Sequence, residues 1–211
     1  MPTIEEAQDW YPKNDPVHGF DHIVRVTRTA EYLAQREGAD LEITRAAALL
    51  HDAHGSSTVG GEQGRLEHHL LSAKFARQVL TVEDWPANRI AVVQHCIRAH
   101  RFRNKTEPPQ SLQAKILFDA DKLDVLGAIG IARTIAYDVT IGQSIYTEPS
   151  EQFLRTGQKE PGELHSSYHE YLYKLRKIKD LIHTPTAKSL AEERHRFLIR
   201  FFEQLAVEMR G

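Results

Sequence analysis

Apolar positions recur at helical spacing along almost the whole chain, and no segment carries a strong strand signal. From Asp21 to about Gly38, Ile23, Val26, Ala30 and Leu33 form one stripe, and Gly38 is a good terminator. A second helix is predicted from about Leu41 to Asp52, with Ile43, Ala46, Ala47, Leu49 and Leu50 apolar. The polar stretch Ser56 to Gly64 reads as a loop. A third helix, Arg65 to Leu80, carries Leu66, His69, Ala73, Ala76 and Leu80 on one stripe. A fourth, Ala87 to Arg101, has Ile90, Val93 and Ile97 on one side and Val92, His95 and Ala99 on another. Pro108 and Pro109 make Asn104 to Ser111 a loop. Helices are expected at Leu112 to Asp124 and Val125 to Tyr137, then an irregular excursion from Gly142 to Gly162. The last two helices, Glu163 to Ile182 and Thr186 to Met209, are joined by a turn at His183-Thr184-Pro185. Leu190, Phe197, Leu198, Phe201 and Leu205 give the final one a wide apolar face.

This pattern predicts an all-α fold. At 211 residues, without an internal repeat or a separating linker, the chain is expected to form a single domain over 1–211. Its core spans about 18–139, with a helical extension over about 163–209.

Composition narrows the partners. Lys plus Arg total 27 and Asp plus Glu 29, a net charge of -2, which supplies no basic footprint for a long nucleic acid or a membrane. Cys96 is the single cysteine, so no intramolecular disulfide can form and a reducing compartment is expected. The segment Met1 to Trp10 is acidic and lacks the basic and apolar regions of a signal peptide. No apolar run approaches the roughly 20 residues that span a bilayer, so a cytoplasmic location is expected. Twelve histidines beside one cysteine favour a metal site built from nitrogen and oxygen over a zinc–cysteine site.

The chemistry gathers at His51-Asp52, which follow the apolar run Ala46-Ala47-Ala48-Leu49-Leu50. A chargeable pair buried at a helix end is costly unless paired or bound to metal. His22 opens the first amphipathic helix, and Arg25, three residues on, shares its face, so a ligand and a phosphate-binding cation could point into one cavity. Asp121 lies in the carboxylate-dense Phe118-Asp119-Ala120-Asp121-Lys122-Leu123-Asp124. His69 and His95 each sit among apolar neighbours.

The order His22, His51-Asp52, Asp121 resembles the HD superfamily of metal-dependent phosphohydrolases, its small bacterial single-domain branch in particular. Three stretches carry the resemblance: His18 to Val26; Ile97-Arg98-Ala99-His100 with Asp119 to Asp124 and Gly127 to Arg133; and Ala187 to Phe197. It implies a helical bundle of the HD type whose divalent ion is held by His22, His51, Asp52 and Asp121. It also implies hydrolysis of phosphoester or phosphoanhydride bonds, nucleotides being the expected substrate class. Two imidazoles and two carboxylates suit manganese, iron(II) or magnesium. Asp52 is then the bridging or water-orienting ligand, Asp119 a candidate proton acceptor, and Arg25, Lys122 and Arg103 candidates to neutralise the transferred group.

One ion is expected. His69 and His95 are candidates for a second, since they fall between the central pair and Asp121 in the order used by two-metal members. His100 is five residues after His95, roughly 140° around a helix, so one of the two could bind metal while the other acts as acid or contacts phosphate. The remaining His54, His68, His165, His169, His183 and His195 read as surface or tail residues. Gly127 to Gly130 reads as close helix packing, because no strand precedes it to make a phosphate loop. Two other functions compete: an HD-type di-iron oxygenase, and a non-catalytic nucleotide- or metal-binding regulator. The expected partner is a small phosphate-containing molecule, and the apolar C-terminal helix leaves a homodimer open.

Overall fold

In the computed structural model, described for residues 1–11, 19–54, 61–101 and 107–211, every regular element is a helix. They are α1 (Ile4–Gln8), α2 (Phe20–Glu37), α3 (Leu41–Leu50), α4 (Gly61–Val82), α5 (Ala87–Ala99), α6 (Leu112–Leu123), α7 (Gly127–Thr140), α8 (Glu151–Thr156), α9 (Ser167–Tyr173) and α10 (Pro185–Arg210). A 3-10 segment, Leu175–Leu181, lies between α9 and α10. Two compact units are formed, residues 1–121 with 183–187, and residues 122–182 with 188–211.

The first unit is organised around α3. Asp40 caps it by accepting from the Ile43 N–H at 3.0 Å. Ile43, Thr44 and every residue from Ala46 to Leu50 are buried, so apolar side chains surround the axis instead of forming a stripe. That composition makes α3 an interior helix, and it packs against α1, α2, α4 and α5. Complete burial of Leu49 or Leu50 is worth about 1.5–3 kcal/mol each. The predicted stripe of α2 is buried at Ile23, Val26, Ala30 and Leu33, and Gly38 ends the helix at φ 74°, where glycine carries no Cβ penalty.

Helix α1 has no counterpart in the periodicity analysis. It is nucleated by a capping box, in which Glu6 N–H donates to Thr3 Oγ1 and the Glu6 carboxylate receives the Thr3 N–H. Its Ala7 joins Tyr11, Ile23, Leu49 and Ala53 in a satellite cluster, with Trp10 and Phe20 against it. Helix α4 begins at Gly61, earlier than the predicted Arg65, so the end of the expected 56–64 loop is helical.

In the second unit the expected helix over 163–182 divides into α9 and the 3-10 segment, and α8 stands inside the expected excursion. Ser150 caps α8 and Ser166 caps α9. The buried stripe of α10 is Ala191, His195, Leu198, Phe202 and Ala206, while Phe197 is 52% exposed. The buried face is thus rotated from the predicted one, because Phe202 stacks on Tyr171 at 4.6 Å between centroids and draws the small residues inward. Gly127 packs closely on another helix, a Cβ there lying 3.2 Å from Arg194 of α10, while Gly130 approaches the turn into its own helix, where a Cβ would lie 2.2 Å from the Val125 carbonyl carbon. No described helix is long and apolar enough to cross a membrane.

Candidate metal centre

The site forms where α3 stops. His51 closes the helix as its C-cap, completely buried, and its ring Nδ1 lies 2.8 Å from the Ala48 carbonyl. A carbonyl only accepts, so Nδ1 carries the proton and the neutral ring presents the Nε2 lone pair. That Nε2 is buried without a hydrogen-bond partner. Burial holds the imidazole in this neutral form, pushing its pKa down to about 4 against the pull of Asp52.

His100 repeats the device on another helix. It is the C-cap of α5, it is 3% exposed, and its Nδ1 donates to the Ile97 carbonyl. Its Nε2 lies 3.5 Å from Asp52 Oδ1. His68 of α4 places Nε2 at 3.5 Å from the same oxygen, and His51 Nε2 is 3.7 Å from Asp52 Oδ2. On the far side His22 of α2 faces Asp121 of α6, Nε2 to Oδ1 at 3.6 Å, with the His22 and His51 rings 5.5 Å apart. Burial works against charge on Asp52; the positive charge that His51, His100 and His68 carry when protonated outweighs it and holds the carboxyl well below the usual range.

Among the described residues two trios of donor atoms result, His22–His51–Asp52 and Asp52–His68–His100, each with all its atoms within 4.8 Å of one another. Metal bonds of ~2.1 Å give donor–donor edges of about 3–3.5 Å, so separations of 3.5–3.7 Å suit ligands around a cation. The chemistry of the set fits as well. Neutral imidazole lone pairs turned toward a carboxylate repel it unless a positive charge lies between them.

The other sequence candidates lie elsewhere. His95 is held by Glu107 through Nδ1 at 2.8 Å and by the Gln110 N–H through Nε2, so both ring nitrogens are engaged outside the trios. His69 is 4% exposed in the α4 core stripe, with burial and the neighbouring His68 and His100 pushing its pKa down to about 4, and it belongs to neither trio. His68 and His100 stand where His69 and His95 were expected. Arg25 pairs with Asp21 at 3.1 Å and is 29% exposed. Lys122 is buried in the second unit. Arg103 and His18 lie outside the described residues.

Asp119 has a different task from the one expected. It is completely buried and accepts the N–H groups of His183 and Thr184, both at 2.8 Å, and the Thr184 hydroxyl at 2.7 Å. It anchors the turn before α10. Burial raises its pKa, with those three donors acting against the rise. Of the histidines read as surface residues, His68 is in the site, while His169 and His195 are buried in the second unit.

Tyr11 and Ser72 carried no sequence signal. The Tyr11 hydroxyl donates to the Leu49 carbonyl at 2.7 Å, and burial with the Asp52 charge pushes the phenol well above its usual pKa. Ser72 Oγ bonds both the N–H and the carbonyl of His54 at 3.1 Å.

The HD domain family model matches residues 19–126, about half of the chain and all of the metal-ligand candidates. The chain belongs to the HD domain family. Among relatives of this HD domain, the Bacillus subtilis protein YpgQ is 31% identical over 200 residues, 92% of this chain and 85% of YpgQ. The crystal structure of YpgQ in complex with ADP superposes with a TM-score of 0.75 at 28% identity, covering 99% of both chains. An HD-superfamily hydrolase from Bacillus thuringiensis gives a TM-score of 0.71 at 30% identity, over 99% of this chain and 95% of that one.

Proposed function

We propose that this HD domain is a divalent-metal-dependent phosphohydrolase acting on a small phosphoester or phosphoanhydride, with nucleotides as the substrate class. The observation that carries the reading is the convergence of ring nitrogens on Asp52: the fixed lone pairs of His51 and His100, with His68 Nε2 at 3.5 Å. His22, His51, Asp52 and Asp121 would hold one ion of manganese, iron(II) or magnesium. His68 and His100 would hold a second, weaker one with Asp52 shared. When bound, a divalent ion lowers the pKa of a water molecule and polarises a phosphoryl oxygen.

The chain's own residues do the rest. The Ala48 and Ile97 carbonyls fix the tautomer and the aim of His51 and His100, so no reorganisation is needed on binding. Asp52 orients the attacking water through whichever oxygen is left to it. Arg25, one turn after His22 on the same face of α2, is the proposed cation for the phosphoryl oxygens. The ADP bound to YpgQ supports a nucleotide substrate.

A phosphate-release screen over nucleoside mono-, di- and triphosphates with manganese or magnesium tests the proposal. Activity lost in Asp52→Ala is expected; equal rates in both proteins would overturn it. The shared carboxylate between two imidazole groups also favours a second reading, a di-iron oxygenase. Two irons per chain with an iron-dependent visible absorption, and no phosphate release, would select it.

A further inference from the structure

Resting on that reading of the metal centre, we infer that Tyr11 and Ser72 are positioning residues that clamp the His51–His54 turn from its two sides and set the affinity of the site for metal. The last carbonyls of a helix have no partner within it. At the end of α3 one of these is Leu49 O, and it receives the Tyr11 hydroxyl at 2.7 Å. Leu49 lies two residues before His51, so this side chain holds the end of α3 immediately ahead of the ligand pair. Beyond the turn, Ser72 closes both backbone groups of His54 at 3.1 Å each.

Neither clamp touches the trios of donor atoms. Their effect runs through the backbone. His51 and Asp52 leave α3 with nothing of their own helix ahead of them, and the turn that follows is held internally by the Ala53 N–H on Leu50 O at 3.4 Å. Ser72 is completely buried and lies four residues after His68, one helical turn along the same face of α4. It therefore ties the turn carrying Asp52 to the helix that supplies the imidazole facing it. Tyr11 is 4% exposed, and its ring packs with Ile23 and Leu49 and lies 5.6 Å from Phe20. The ring is anchored by packing in the cluster that also holds Ala53 of the turn, and the hydroxyl supplies the hydrogen bond.

This separates two functions of Tyr11 experimentally. Tyr11→Phe keeps the ring in its cluster and deletes only the clamp, and Ser72→Ala deletes the other. Tyr146→Phe, which removes a tyrosine hydroxyl from Glu148 in the second unit, serves as control. The measurement is calorimetric titration of each metal-free protein with Mn²⁺, alongside amide exchange across residues 50–54. Groups that orient metal ligands typically contribute 10–100-fold in affinity. Tyr11→Phe and Ser72→Ala are expected to weaken Mn²⁺ binding by about 10-fold and to speed exchange in the turn, with Tyr146→Phe matching wild type. Wild-type affinity and exchange in both clamp variants would overturn the inference while leaving the metal centre intact. A wild-type protein that binds no divalent ion would overturn the centre and the inference together.

Discussion

His51 and His100 are held in the same way: each closes a helix, each gives its Nδ1 proton to the carbonyl three residues back, and their rings meet at 5.1 Å with an interplanar angle of 83°. The two helix ends thereby turn Nε2 lone pairs toward one carboxylate, Asp52. The end of a helix is suited to this. Its free carbonyls select the tautomer, and the cap residue is released from the helical surface to face a cavity.

The two histidines near the end of α5, His95 within it and His100 at its C-cap, should therefore behave differently. His100→Ala is expected to weaken Mn²⁺ binding at least about 10-fold, whereas His95→Ala should leave it unchanged and cost the contacts with Glu107 and the Gln110 N–H. Titration calorimetry on the two variants measures this directly. Equal losses would mean that His95 is a ligand.

Asp119→Asn should cost stability without cost to the metal centre. The amide keeps one acceptor oxygen and turns an NH₂ toward donors that already point inward, a penalty of about 1–3 kcal/mol. Denaturant unfolding should show that loss, and Mn²⁺ affinity should stay within twofold, roughly the experimental scatter.

Gly130→Ala should be among the most damaging single-methyl additions in the chain. The new Cβ would meet backbone atoms of Val125 at 2.2 Å, and a backbone cannot rotate away as a side chain can. A loss of about 3 kcal/mol or more is expected in thermal or denaturant unfolding. A loss of a few tenths would contradict the packing.

The Glu163 clasp predicts a pH dependence in the second unit. Burial raises the pKa of this carboxyl, but the N–H groups of Ser150 and Glu160, the Ser150 hydroxyl and His169 outweigh that and bring it down to about 2 from 4.5. A lowered folded pKa means that its stabilisation is complete above the unfolded value and is lost as pH falls toward the folded one. The difference in Tm between wild type and Glu163→Gln should be widest near neutral pH and narrow steadily below about pH 4.5. A difference independent of pH would sink this account of the clasp.

Much of the fold is legible in the sequence because α2, α3, α5 and α6 carry their own periodicity, with Gly38 ending α2 and Asp40 capping α3. What escaped is where other forces rule. Helix α1 is too short for a period to register, and its Thr3–Glu6 capping box was the readable signal. The segment after Ser166 has helical composition, but it tightens into a 3-10 turn at Leu175–Leu181 after Tyr168 and Tyr171 pack near Phe202. At the site, periodicity found the buried stripe of α4 and so pointed to His69. A ligand has to sit beside that stripe, on the flank that faces Asp52, and His68, with 16% of its side chain exposed, does so. Which flank faces Asp52 depends on how α3, α4 and α5 pack. Tyr11 was hidden for a related reason, since its partner Leu49 is 38 residues away.

Mn²⁺ stoichiometry, measured by equilibrium dialysis on wild type, His68→Ala and Asp52→Ala, tests the central claim most directly. The account predicts that wild type binds, that His68→Ala loses only the weaker ion, and that Asp52→Ala loses affinity at both positions, because one carboxylate serves both trios. Wild-type stoichiometry and affinity in Asp52→Ala would contradict it.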